Sequence, residues 1–182
     1  MNTTSPNAEA LARVTEDIDQ LGLSSHLLEL ESQGFTTIKG VLSDNAINRA
    51  QAAILDRVEK DTGKCIDAAN ADEDDWRGML YIPYMLYDNE VFEEILLEPK
   101  PLALIRYLLG ESCLLSSLGC HFKGPGGDAL PLHSDNGNGM PSPFPSYSQV
   151  ANVNYALTPY SRQAGALAMV PASHHLARQP LA

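Results

Sequence analysis

Cysteine, positive charge and long apolar runs are all scarce in this 182-residue chain. Its three cysteines, Cys65, Cys113 and Cys120, are an odd number without CxxC spacing, which argues against a disulfide framework and a structural zinc site and favours buried thiols. Twelve Lys and Arg stand against 23 Asp and Glu, a net charge of −11, so neither a nucleic-acid backbone nor an anionic membrane surface is an expected partner. No apolar stretch approaches the roughly 20 residues that cross a bilayer, and the polar start lacks a basic region followed by an apolar core. A cytoplasmic setting is expected. Acids are missing altogether after Asp135, although Arg162, His174, His175 and Arg178 follow it. Chemistry in the last third that needs a carboxylate must therefore draw on Asp135 or something earlier.

Phosphate loops are missing too. Gly124-Pro125-Gly126-Gly127 has neither a Lys-Ser/Thr pair after it nor a helix to open. There is no Gly-x-Ser-x-Gly elbow, and Ser112, Ser116 and Ser117 lack the histidine and acid order of a hydrolase. The run Asp72-Glu73-Asp74-Asp75 has none of the alternation of a calcium loop and reads as a solvated turn.

With 44% hydrophobic and 19% charged residues the chain is expected to bury one core as a single domain over 1–182, without internal repeats. Ser5-Pro6 and the spacing of Leu11, Val14, Ile18 and Leu21 predict an amphipathic helix stopped by Gly22. Residues 26–32, capped by Ser25 and ended by Gly34, predict a second helix, and residues 35–38 a strand. Ser43 or Asp44 would cap a third helix with a buried stripe of Ile47, Ala50, Ile54 and Val58. Residues 89–97 and 101–109 read as two more. Beyond Gly110 the pattern changes to strand-like segments at 113–122, 149–157 and 166–170, and eight of the 12 prolines fall after Gly124. Helices first and strands later predict an α+β fold: a mainly helical support region over 1–110, then an antiparallel sheet or barrel over 111–182. Loops near Gly124 and over 136–148 would sit at the barrel mouth.

One constellation carries chemistry. His133 and Asp135 lie two residues apart after a strand-like run, and in an extended chain such positions face the same side. One imidazole and one carboxylate make two-thirds of the facial triad that binds ferrous iron in oxygenases. Taken alone, His-x-Asp is equally a turn, Asp135-Asn136-Gly137, beside a rim histidine. Asn152 and Asn154 share one face of a strand-like segment and would hydrogen-bond a cosubstrate or substrate, or only line a polar interior. His121 reads as a packing residue, and Trp76, Tyr81, Tyr84 and Tyr87 as core or as pocket lining.

The segments around this pair, 122–127, His133-Ser134-Asp135, 152–157 and 164–174, resemble in order and spacing the phytanoyl-CoA dioxygenase family of iron(II)/2-oxoglutarate oxygenases. The stretch 33–43 resembles that family's N-terminal segment, so the likeness runs from about residue 28 onward. The resemblance implies a double-stranded β-helix, a cupin-like jelly roll packed on the N-terminal helices, with iron at its open end. It assigns His133 and Asp135 as the first two iron ligands; Lys123, upstream of the pair, is a candidate contact for 2-oxoglutarate or an anionic substrate group. Iron(II) and 2-oxoglutarate would activate dioxygen to hydroxylate an unactivated C–H bond of a small molecule.

In that family a second histidine downstream of a Pro-x-Ser-His turn is the third ligand, and a later arginine holds the distal carboxylate of 2-oxoglutarate; neither position is found before Ala182. His174 occupies the turn histidine, which is structural there, and Ala172 stands where the family has glycine. A jelly roll also needs eight strands, against about four or five strand-like segments here. The chain is therefore expected to be the first part of a longer oxygenase, or to complete its barrel in trans as a homodimer. A non-catalytic binding or assembly module on the same scaffold is the alternative, and a cupin-like metal enzyme without 2-oxoglutarate a third.

Overall fold

The computed structural model describes residues 6–67, 78–125, 129–137 and 140–181. Ser5, the 72–75 acidic run, Trp76, Gly126 and Gly127 lie outside them. Five helices and a two-stranded ribbon account for the regular structure among the described residues: α1 (Pro6–Gln20), α2 (Ser24–Gln33), α3 (Asp44–Thr62), β1 (Met79–Ile82), α4 (Val91–Leu96), α5 (Pro99–Leu109) and β2 (Cys120–Lys123). The fold is α+β.

α1 ends where the sequence places its stop. Gly22, at φ +68°, lets its N–H reach Asp19 O at 3.1 Å while Leu23 N–H reaches Ile18 O at 2.9 Å, the paired bonds of a glycine-terminated helix. That turn buries Leu23 with Val14 and Ile18 against Ala103 and Leu104 of α5. It also runs straight into α2, so Leu23 takes the N-cap position and packs, making no side-chain cap bond. The expected Ser25 cap is therefore corrected: Ser25 lies inside the first turn. α2 buries no residue fully and covers this cluster with Leu27 and Leu30.

A second cluster forms on α3. Ser43 Oγ accepts Ala46 N–H at 3.2 Å, and the helix presents Ala50, Ala53, Ile54 and Val58 to Ile82, Met85 and α4. Ala53 takes the inner place expected of Ile47, which is half-buried. β1 and β2 pair antiparallel, Leu80 opposite Phe122 and Tyr81 opposite His121. Alternation turns Leu80, Ile82, Cys120 and Phe122 onto this cluster and leaves Met79, Tyr81, His121 and Lys123 on the open face. Gly119 permits the approach, since a Cβ there would stand 2.6 Å from the Tyr81 hydroxyl and 2.9 Å from Ile82 O.

The strand-like segments fare differently. Only residues 120–122 of the expected 113–122 strand join a ladder, which runs on to Lys123, and residues 35–38, 149–157 and 166–170 run without one. A strand exists only through a neighbour that takes its hydrogen bonds, and among the described residues the sheet has two strands. An eight-stranded closure is not formed by them.

Candidate functional site

The segment from residue 129 reaches the site without regular structure, and Asp135–Gly137 closes it as a single 3-10 turn. His133 and Asp135 converge: Nε2 of one lies 3.2 Å from Oδ1 of the other, with both side chains about half exposed. The other imidazole nitrogen, Nδ1, is 2.7 Å from Pro131 O. A carbonyl only accepts, so Nδ1 carries the hydrogen, and a neutral His133 turns its Nε2 lone pair toward Asp135. Two lone pairs 3.2 Å apart repel unless a cation sits between them. That cation is either the second imidazole proton or a metal ion, and adjacent ligands with bonds of about 2.0–2.2 Å around one ion stand at about this separation. The donor set thus fits one divalent ion.

The remaining oxygen of Asp135, Oδ2, accepts the Asn152 amide. Asn152, expected to contact a cosubstrate or substrate or to line a polar interior, here holds the carboxylate. Gln179 grips the residue between the pair, accepting Ser134 N–H at Oε1 and donating Nε2–H to Ser134 O, both at 2.9 Å. Nothing in the local sequence marks Gln179 for this, because the contact spans 45 residues. Asn154 is exposed. Lys123, on the open face of the ribbon, donates to Gly165 O at 3.0 Å. No third His, Cys, Asp or Glu joins the pair among the described residues.

His174 serves elsewhere. Its Nε2 pairs with Glu31 O at 3.2 Å, its ring packs on His175 with centroids 3.8 Å apart, and Ala172 N–H reaches Gln33 O at 2.8 Å. The turn is a clasp between the C-terminal segment and the end of α2. Gly34 admits the ring: at φ +83°, a Cβ would stand 2.5 Å from His174 Nδ1. Ala172 holds φ +60° in that turn, a conformation glycine adopts without steric cost.

Other expectations need adjustment. Tyr81, Tyr84 and Tyr87 are exposed and not core, with Tyr81 tilted against His121 at 5.1 Å. Tyr84 turns outward because its backbone is left-handed at the head of the Met85–Tyr87 turn, which buries Met85 in its place. Of the thiols, Cys113 and Cys120 are half-buried and Cys65 is exposed; burial pushes Cys120 up to about 11. Arg162 and Arg178 lie at the surface. Two hollows line α1, α2 and α5, one beside Lys39 and Lys100 and one beside Asp17 and Arg106; neither is lined by His133 or Asp135.

Comparison with known proteins decides the lineage. The family described as Phytanoyl-CoA dioxygenase (PhyH) matches residues 30–182, most of the chain. The chain belongs to the phytanoyl-CoA dioxygenase family. Among its curated relatives is Dioxygenase af480 of Aspergillus fumigatus, 27% identical over 161 residues, which are 85% of this chain and 50% of that protein. The chain thus spans about half the length of that relative. No solved structure matches it. No helix among the described residues is long and apolar enough to cross a membrane. The family match covers the His133–Asp135 segment, Asn152 and Gln179 alike.

Proposed function

We propose that the chain is the ligand-bearing part of an iron(II)- and 2-oxoglutarate-dependent dioxygenase that hydroxylates a small molecule. The observation that carries this is the His133–Asp135 pair: an imidazole fixed by Pro131 O with its free nitrogen 3.2 Å from a carboxylate oxygen, on a chain of this family. Such a pair holds two positions on a ferrous ion and leaves others for small molecules. When bound, iron and 2-oxoglutarate couple the oxidative decarboxylation of the 2-oxoacid to succinate and CO2 with the insertion of one dioxygen atom into a C–H bond. Pro131 O sets the His133 tautomer, and Asn152 holds the second oxygen of Asp135 so that the first stays turned to the imidazole. Lys123 and Asn154 are the proposed contacts for the anionic cosubstrate or the substrate, Lys123 by exchanging Gly165 O for a carboxylate.

The proposed architecture is a helical support over residues 1–110 and the first part of a jelly roll over 111–182, closed by further chain or by a second copy. Its support is the open, apolar character of the region after Lys123 together with the half-length match to the relative. Three free thiols suit the reducing cytoplasm. Anaerobic addition of ferrous iron and then 2-oxoglutarate is expected to raise a weak visible charge-transfer band that His133→Ala and Asp135→Ala each abolish. A flat absorbance in the wild-type protein sinks the reading. The same open apolar surface also favours a second reading, a binding or assembly module without chemistry, which succinate formation dependent on this chain rules out.

A further inference from the structure

We propose that Gln179 is a positioning residue for the His133–Asp135 pair, acting through the two peptide units that join them; this rests on reading that pair as the iron site. The Ser134 N–H belongs to the peptide plane that leaves His133, and the Ser134 carbonyl to the plane that enters Asp135. Gln179 holds both, with Oε1 accepting the first and Nε2 donating to the second at 2.9 Å each. The orientation of the amide is dictated by these partners, since a backbone N–H only donates and a carbonyl only accepts.

The two bonds are those a neighbouring strand would make to a hydrogen-bonded residue of an antiparallel ladder. Among the described residues no strand lies alongside, and one side chain takes its place. Fixing both planes fixes φ and ψ of Ser134, and these angles set whether residues 133 and 135 face one point or diverge. The clasp has a firm base. Phe144 N–H reaches Ala177 O at 2.7 Å, and Phe144 is 8% exposed, so the chain that carries Gln179 is tied down two residues before it. Ser134 and Gln179 are themselves half-buried, which limits competition from water. Asn152 and Gln179 then divide the work: one orients the Asp135 carboxylate, the other the backbone beneath both ligands.

The test is metal binding by the whole protein, with cobalt(II) alone as the probe and its visible d–d bands as the reading. Gln179→Met keeps the length of the side chain and removes both bonds. It is expected to weaken cobalt(II) binding about tenfold or more, the usual cost of losing a group that orients a ligand, and to speed exchange of the Ser134 amide hydrogen while thermal melting stays cooperative. Gln179→Glu keeps the acceptor but sets an oxygen against Ser134 O, and is expected to fall between; it also replaces the Met variant should that one fail to fold. Wild-type affinity and spectrum in both variants, with binding lost in His133→Ala, overturns the role of Gln179 and leaves the metal site standing. Binding that His133→Ala does not affect overturns the site, and the role of Gln179 with it.

Discussion

Fifteen of the 16 fully buried apolar residues among those described lie between Val14 and Leu104, and only Phe144 lies beyond. After Lys123 the balance reverses: Leu130, Leu132, Val150, Val153, Leu167 and Met169 are each more than two-fifths exposed. The two regions differ less in apolar content than in where their backbones find partners. A helix satisfies its N–H and C=O groups within itself and needs a neighbour only for one stripe, which α1, α3 and α5 each find nearby. Strand-like chain needs a neighbour for its backbone as well, and until one arrives it cannot bring its alternating side chains onto a common face. The second region is held by single ties: Tyr155 O–H to Ile95 O at 2.9 Å, Gln51 to Leu157 O, and the His174 turn against α2.

The contrast can be broken most directly by truncation. Ile82, 1% exposed on the inner face of the ribbon, is expected to cost about 2–5 kcal/mol as Ile82→Ala, while Leu167→Ala at 52% exposure shifts stability by no more than about 0.5 kcal/mol in urea unfolding. Equal losses at the two sites would show that the second region folds on a core of its own. The clasp between the regions is tested next. Gly34→Ala puts a Cβ against His174 and forces a left-handed alanine, for about 1–2 kcal/mol by thermal melting, and His174→Ala in that background restores only the part due to the clash.

A smaller effect sharpens the comparison further. Tyr155→Phe removes one hydrogen bond into the helical region, for about 1 kcal/mol near neutrality. Burial, with Glu98 adding to it, raises the phenol from 10 to about 12. The unfolded chain therefore releases this proton first, and stability falls as pH rises from 10 toward about 12, a slope that Tyr155→Phe removes. An alkaline limb identical in the two proteins would place Tyr155 in water.

Helices were readable because their signals are local: the Ser43 cap, the Gly22 and Gly34 stops and the Val14 and Ile18 spacing all act within a few residues. Errors gathered where the deciding partner is distant. β1 pairs with a strand some 40 residues on, and the segments at 149–157 and 166–170 have strand-like composition without a ladder to enter. The site divides the same way. The nearness of His133 and Asp135 needs only their two-residue spacing and could be read directly, although a 3-10 turn at Asp135 takes the place of the expected extended run, whereas the Asn152 and Gln179 contacts cross 17 and 45 residues and leave no local trace.

The acceptor that selects the His133 tautomer is main-chain, the carbonyl of Pro131. Replacing the side chain at that position cannot delete it, because every amino acid supplies the same oxygen. Substitution at residue 131 can alter only the torsions that aim the carbonyl, of which proline fixes one, φ. The proton inventory of the imidazole is thereby insulated from mutation at the very residue that governs it.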